Sequence, residues 1–271
     1  MKRSLILPLL LLLATPGTAW SAFEPVYAGA RPVGMAGAFV AVADDAEASF
    51  LNPGGTPRVG RLALTSYYTR LFGMKELAQL AVSAIAPTSL GHFGLFYHGL
   101  GSSLYRESIF GLSYGRSIGR RFHAGLALRR LSLSIKNYDG ASAVAMDAGI
   151  LLDLPFELRL GAMAHAVGRF SETGSAAESP RIIQAGLSRT GDRLTVSFQL
   201  DRHPRHGYTT RVGQEFRLAE SVTVRAGLTT DPSLFYVGLG LAMGRVKTDY
   251  ALSSHALLGI THRFSLTMEF G

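Results

Sequence analysis

The chain has 271 residues, no cysteine, 31 glycines and a formal charge of +8. Without disulfides, its stability has to come from a large core or a closed sheet. The positive residues are scattered singly rather than gathered into a patch, which argues against nucleic-acid binding.

The first twenty residues read as an export leader. Lys2 and Arg3 precede an almost wholly apolar run from Leu5 to Leu13, then small residues, with Gly17-Thr18-Ala19 or Ala19-Trp20-Ser21 suited to cleavage. The apolar run is too short to cross a bilayer as a helix, and no later run reaches the length that would. Residues 1–21 are therefore assigned to a signal peptide, residues 22–60 to an N-terminal plug and residues 61–271 to a barrel.

The stretch from Ala28 to Gly55 lacks sustained alternation. Small residues at Gly34, Ala36, Gly37 and Ala38 allow close backbone packing, and Asp44 and Asp45 form an acidic pair. Asp45 is expected to cap a short helix over Ala46–Phe50, which Asn52 and Pro53 end. The run GMAGAFVAVADDAEASFLNPGG resembles the N-terminal signature of the FadL-like outer-membrane proteins, which include the PorV/PorQ group. There a Gly-rich run is followed by ADDA and NPA; here Gly54 replaces the last Ala. The resemblance covers about thirty residues. It implies a fourteen-stranded β-barrel with the N-terminal segment folded into the lumen, so that Gly34, Gly37, Asp44, Asp45, Asn52 and Pro53 become candidate gate residues. Many of those relatives are longer and carry larger external loops.

Beyond residue 60 the chain breaks into fourteen short segments separated by turns, each near the length of a tilted membrane strand. They fall near 61–70, 77–87, 90–100, 104–116, 120–135, 141–153, 157–167, 181–190, 193–201, 208–218, 221–230, 234–243, 245–252 and 257–270. Period-two alternation is clear in Leu194–Leu200, Val222–Leu228 and Ile260–Phe270, where His262 alone breaks the apolar set. The opposite face carries mid-strand charges of both signs, among them Arg129, Asp147, Arg211, Glu215, Arg225, Asp249 and Arg263. That favours an all-β, transmembrane antiparallel barrel with a charged lumen over a soluble sandwich with an apolar interior. The wall arginines Arg211, Arg225 and Arg263 are the expected partners of Asp44 and Asp45.

The apolar set changes parity at Leu128–Leu131, which suggests a β-bulge. Tyr67, Tyr68, Phe72, Tyr97, Tyr105, Tyr208, Phe235 and Tyr250 fall mostly toward strand ends, where interfacial girdles sit. The longest loop, Gly168–Pro180, and a basic cluster, Arg202–His206, are assigned to the outer side; the cluster reads either as a solvated turn or as a contact for lipopolysaccharide phosphate. The terminal strand ending at Phe270 resembles the signal read by the outer-membrane assembly machinery.

No catalytic motif is present, and the dispersed histidines, including His92, His98 and His165, have no metal-ligand spacing. No cofactor is expected. Two functions remain open: a passive channel for small hydrophobic molecules gated by the plug, or a non-transporting PorV-like scaffold in secretion or surface assembly. Expected partners are outer-membrane lipid and lipopolysaccharide, the assembly machinery and a hydrophobic small molecule.

Overall fold

The computed structural model describes residues 23, 28–173, 181–204, 207–255 and 257–271. The leader, most of the loop after residue 173, and Arg205 and His206 of the basic cluster lie outside the described residues.

Fourteen strands run in chain order: β1 Leu62–Arg70, β2 Ala78–Thr88, β3 Gly91–Gly101, β4 Tyr105–Ile118, β5 Phe122–Ile135, β6 Ala141–Asp153 and β7 Leu158–Thr173, then β8 Ile183–Thr190, β9 Leu194–His203, β10 Gly207–Ala219, β11 Val222–Thr229, β12 Leu234–Met243, β13 Val246–His255 and β14 Gly259–Phe270. Each pairs antiparallel with its neighbours in sequence. β1 closes on β14 from Leu62 opposite Phe270 to Thr69 opposite Arg263. The result is a closed transmembrane β-barrel, the arrangement in which wall peptide groups pair with one another without water.

Connections alternate between the two rims. Those at 89–90, 119–121, 154–157, 191–193, 220–221 and 244–245 are short, and this rim also carries the start of β1 and the end of β14. The opposite rim carries the longer connections, including 71–77 with two 3-10 turns and 136–140. The halves of the lumen are named below by these rims.

The strand pleat sorts the side chains. Leu95, Phe110, Leu112, Leu126, Phe198, Leu239 and Phe264 are exposed on the outer wall, whereas Glu107, Arg129, Asp147, Arg159, Arg225 and Asp249 are buried inside. A soluble sandwich would show the reverse.

Two sequence expectations change. There is no bulge at Leu128–Leu131: β5 pairs without interruption with β4 and β6, and Arg129, Leu131 and Leu133 all point inward. The parity shift arises because the long-loop half of this inner wall is apolar, while Arg130, Ser132 and Ser134 face outward on β5. The register breaks lie elsewhere: between Met146 and Ala148 opposite β7, between Ser142 and Ala143 opposite the same strand, and between Arg217 and Ala219 opposite β11. At the first of these, Ala166 adopts φ 53° and its N–H donates to Asp147 Oδ1 at 2.9 Å, so the carboxylate serves a backbone group that the sheet cannot. Tyr67 is not interfacial; it is buried in the lumen.

The outer wall makes a direct prediction. Leu239, exposed at the middle of β12, faces lipid, so Leu239→Arg should cost about 2–4 kcal/mol in urea unfolding from vesicles. Thr223→Arg on the inner face of β11 should cost much less; equal losses would contradict the facing.

Candidate functional site

Residues 28–59 lie inside the barrel. α1 (Ala30–Gly34) and α2 (Ala48–Leu51) are single turns joined by irregular chain, and a 3-10 turn over Pro53–Arg58 leads out to β1. Their own hydrogen bonds would not hold such short helices; the wall does.

Four residues fix the local path. Ala36 (φ 56°) and Gly37 (φ 74°) are left-handed, and the Gly37 N–H returns to Pro32 O at 2.9 Å, turning the chain after α1. Asn52 is extended, as Pro53 requires, and its side chain takes three bonds: it accepts from Gly54 N at 3.0 Å and donates to Val40 O at 2.6 Å and Ile150 O at 3.2 Å. One side chain thereby ties two passes of the plug to β6. α2 is shorter than the expected Ala46–Phe50. Glu47 stands at its N-cap with no side-chain cap, and Asp45 Oδ1 instead accepts from Glu47 N–H at 3.0 Å.

The plug lies against a ring of wall glycines. Nine inward positions, Gly94, Gly115, Gly125, Gly149, Gly161, Gly186, Gly213, Gly227 and Gly238, carry plug atoms where a Cβ would stand. Several are register partners, Gly115 with Gly125, Gly125 with Gly149, Gly161 with Gly186 and Gly213 with Gly227, so they form tracks across adjacent strands. Pro53 and Gly54 lie on the first track, Val40 and Ala41 on the second, and Met35 and Ala36 on the third. Gly34 meets Gly238 from the plug side: a Cβ on it would stand 3.2 Å from Gly238 Cα.

Between the tracks, wall side chains satisfy plug peptides. Gln199 Oε1 accepts from both Phe39 N and Val40 N at 2.9 and 2.8 Å, and its Nε2 donates to Asp201. Arg211 bridges Asp201 Oδ2 at 2.6 Å to Ala36 O at 2.9 Å. Ser188 donates to Ala41 O, Arg159 to Val42 O, and Ser265 Oγ accepts from Ala30 N. Inside this belt Met35, Phe39, Val42, Ala43, Ala46, Ala48 and Leu51 form an apolar core with Ala63, Ile85 and Leu151 of the wall. The short-turn half of the lumen is thus packed across.

The acidic pair meets a cation of the plug and not of the wall. Arg31 Nη1 reaches Asp44 Oδ1 at 2.7 Å and Asp45 Oδ2 at 2.8 Å, and its Nε reaches Glu215 Oε2 of β10 at 2.9 Å. The wall arginines are already engaged by wall carboxylates: Arg225 by Glu215 of β10 at 2.6 Å and by Asp249 of β13 at 2.7 Å, Arg211 by Asp201 of β9. Arg263 donates to Ser253 Oγ at 2.7 Å. The expected contact is inverted: the plug offers the guanidinium and the wall offers the carboxylate. Burial pushes the Asp45 carboxyl up to about 6, with Arg31 opposing and Asp44 adding to the rise, and burial also raises Glu47. These groups border a cavity of about 590 Å³ at the short-turn end of the lumen, lined also by Arg58, Lys247 and Asp249.

Arg129 and Asp147 form a separate buried pair at 2.7 Å on β5 and β6, with His165 on the same carboxylate. Above the plug the wall turns apolar. Phe96, Ile109, Leu131, Leu133, Ala143 and Ala145 cluster with Phe23, and Phe50 of the plug packs on them. Phe50 also touches the plug core and the Tyr67–Ala81 patch, so it stands where the two halves meet.

The glycine tracks, Gln199 and Arg31 were missed in the sequence. An available signal was glycine recurring at inward parity inside alternating strands, as at Gly125, Gly149 and Gly213.

No family model and no curated protein sequence matches this chain. Solved structures do match. The TodX monoaromatic hydrocarbon channel deltaS2 mutant superposes with a TM-score of 0.67 at 12% identity, over 90% of this chain and 99% of that one. A Pseudomonas aeruginosa FadL homologue gives 0.62 at 14% identity, over 93% and 100%. The Pseudomonas putida toluene transporter TodX gives 0.55 at 12%, over 82% and 91%. The fold is that of a FadL-type barrel. At these identities the likeness is one of architecture.

The glycine tracks can be tested one residue at a time. A Cβ on Gly149 collides with Asn52 Oδ1, whereas Gly60 has open space around it. Gly149→Val should leave the barrel folded, with heat-dependent gel migration, but expose the plug to protease at Arg31 or Arg58; Gly60→Val should leave it protected. Protection in both variants would remove the tracks from the account.

Proposed function

We propose that the chain is a passive outer-membrane channel for small hydrophobic molecules, gated by the plug, in a Gram-negative-type cell. Residues 1–21 serve as its leader, 22–60 as its gate and 61–271 as its wall. The carrying observation is the apolar surface in the long-loop half, formed by Phe50, Phe96, Ile109, Leu131 and Leu133 directly over the plug core. Such an apolar lining favours uncharged solutes. The TodX structures described as a monoaromatic hydrocarbon channel and a toluene transporter support the same solute class. No energy input is part of the proposal, and no chemical step; the protein is read as a non-enzyme. Arg202 and His203, at the long-loop rim end of β9, would face lipopolysaccharide, and the β14 strand ending at Phe270 would serve the assembly machinery.

The second reading, a non-transporting scaffold of the PorV kind, has one observation in its favour. The plug is tied by Gln199, Asn52 and Arg31 at many points, more than a freely moving gate needs.

Permeation separates the two. Arg31→Ala leaves Asp44, Asp45 and Glu215 without their shared cation, and breaking a partly buried pair from one side costs up to about 3–5 kcal/mol. In vesicles with lipopolysaccharide in the outer leaflet, Arg31→Ala should raise entry of a fluorescent naphthalene derivative severalfold, and deletion of residues 28–55 should raise it further. A deletion variant that folds and inserts but passes no more than the full chain would give the scaffold reading precedence.

A further inference from the structure

The outer face of the wall is not uniform. Across β12, β13, β14, β1 and β2 it carries a groove of about 410 Å³. Register explains the groove. On the outer face Ser66 stands opposite Leu266, Leu266 opposite Thr248 and Thr248 opposite Leu241, so short and long side chains alternate around the wall. In the next row toward the long-loop rim every side chain is large: Tyr68 opposite Phe264, Phe264 opposite Tyr250 and Tyr250 opposite Leu239. The rings of Tyr250 and Phe264 lie 4.9 Å apart and form a ledge. The space beneath it is left by the short side chains of Ser66 and Thr248. Tyr67, Asp249 and Ser265 border the groove from the inner face, where Asp249 is held by Arg225.

Toward the long-loop rim the outward side chains are graded. On β1 they run Ser66, Tyr68, Arg70, and on β14 Leu266, Phe264, His262. Arg70 and His262 are exposed, each one residue beyond the last pair of these strands, Thr69 with Arg263. Arg70 Nε donates to Tyr68 Oη at 2.7 Å, and its guanidinium carbon lies 5.9 Å from that ring. Both Nη groups remain without a partner among the described residues. Tyr250 Oη and His262 Nδ1 share a hydrogen bond at 2.6 Å, which leaves His262 Nε2 for another group. No acid occupies an outward position on β12, β13, β14, β1 or β2; the loop after β1 carries Lys75 and Glu76. Rings at a barrel rim sit at headgroup level in a bilayer. Arg70 and His262, just beyond them, therefore lie where lipid phosphates do, with an apolar groove directly beneath.

We propose that this strip holds one molecule of lipid A, with a phosphate on Arg70 and His262 and an acyl chain in the groove beneath Tyr250 and Phe264. The inference rests on the outer-membrane reading, which puts the long-loop rim in the lipopolysaccharide leaflet. It names a site apart from the Arg202–His203 end of β9, which is five strands away from β14. The free edge of the Arg70 guanidinium matches two phosphate oxygens at once, and its contact with Tyr68 already orders the side chain. The acyl chain completes a wall that is thin at Ser66 and Thr248, on the side where β14 closes on β1. A zwitterionic phospholipid carries its own ammonium beside the phosphate, which weakens the attraction to Arg70. A lipid without phosphate loses it altogether.

Native mass spectrometry of the intact chain in detergent, freed of lipid and then given one lipid at a time, tests this with lipid A, lipid A stripped of its phosphates, and phosphatidylethanolamine. Lipid A should be retained as a single adduct, tighter than either comparison lipid by about tenfold for one charge-assisted hydrogen bond. Arg70→Gln should remove about that factor for lipid A and leave the stripped lipid within about twofold. Thr248→Phe fills the groove without touching a charge and should weaken lipid A severalfold, whereas Val196→Phe, on the outer face of β9, should leave it unchanged. Heat-dependent gel migration checks that each variant is folded. Equal retention of lipid A and its stripped form overturns the site, as does an Arg70→Gln variant that retains lipid A like the parent. Retention unchanged in Thr248→Phe also overturns it, because charge alone would then hold the lipid. Each of these failures leaves the outer-membrane reading standing. That reading fails separately if the chain, expressed in a Gram-negative host, is absent from the outer-membrane fraction, and the site falls with it.

Discussion

A length of irregular chain laid inside a closed barrel meets a wall whose peptide groups are already paired with one another. Its own N–H and C=O groups must then find wall side chains, and its backbone must come close enough to reach them. Both requirements are met at the same belt. The inward glycines remove the Cβ layer that would hold the plug away, and Gln199, Arg211, Ser188, Arg159 and Ser265 supply the missing donors and acceptors between them. Most of what is particular to the lumen depends on that close approach: the packed core below, the engaged wall arginines beside it, and the position of Phe50 at the top.

The electrostatics follow from the same geometry. A wall whose inner face carries both acids and bases pairs them with each other first, as Arg225 of β11 does with Glu215 of β10 and Asp249 of β13. A plug carboxylate arriving later finds those cations taken. Asp44 and Asp45 are held by Arg31 from their own segment, and the same guanidinium also reaches Glu215 of the wall. One arginine thus joins two plug carboxylates to one wall carboxylate, an arrangement in which a single residue couples the plug's fold to its seat.

The architecture was legible in the sequence because strand period and turn spacing are local properties. Residues such as Val222–Leu228 and Ile260–Phe270 sort their faces without reference to the rest of the chain, and the closed fourteen-strand sheet follows. The lumen was legible only in part. Arg129, Asp147, Arg211, Glu215, Arg225, Asp249 and Arg263 do face inward, because parity alone decides that. Which of them meet each other or the plug depends on register across strands and on the plug's path, and neither is local. The parity shift at Leu128–Leu131 shows the same limit from the other side. Alternation of hydrophobicity does not track facing there: Leu131 and Leu133 are apolar and inward because the long-loop half of the lumen is itself apolar. The wall glycines were hidden for a related reason: within one strand, Gly149 or Gly213 is only a small residue, and its meaning appears when the neighbouring strand and the plug are in place.

Amide hydrogen exchange on the intact chain in nanodiscs measures the seating of the plug most directly. The N–H groups of Phe39 and Val40 are held by Gln199 and that of Ala30 by Ser265, all within the lumen. These three amides should exchange as slowly as those at the centres of β5 and β11, and Gln199→Ala should accelerate Phe39 and Val40 while leaving the wall strands unchanged. Exchange at the three positions as fast as in the 136–140 loop would contradict the close seating on which the rest depends.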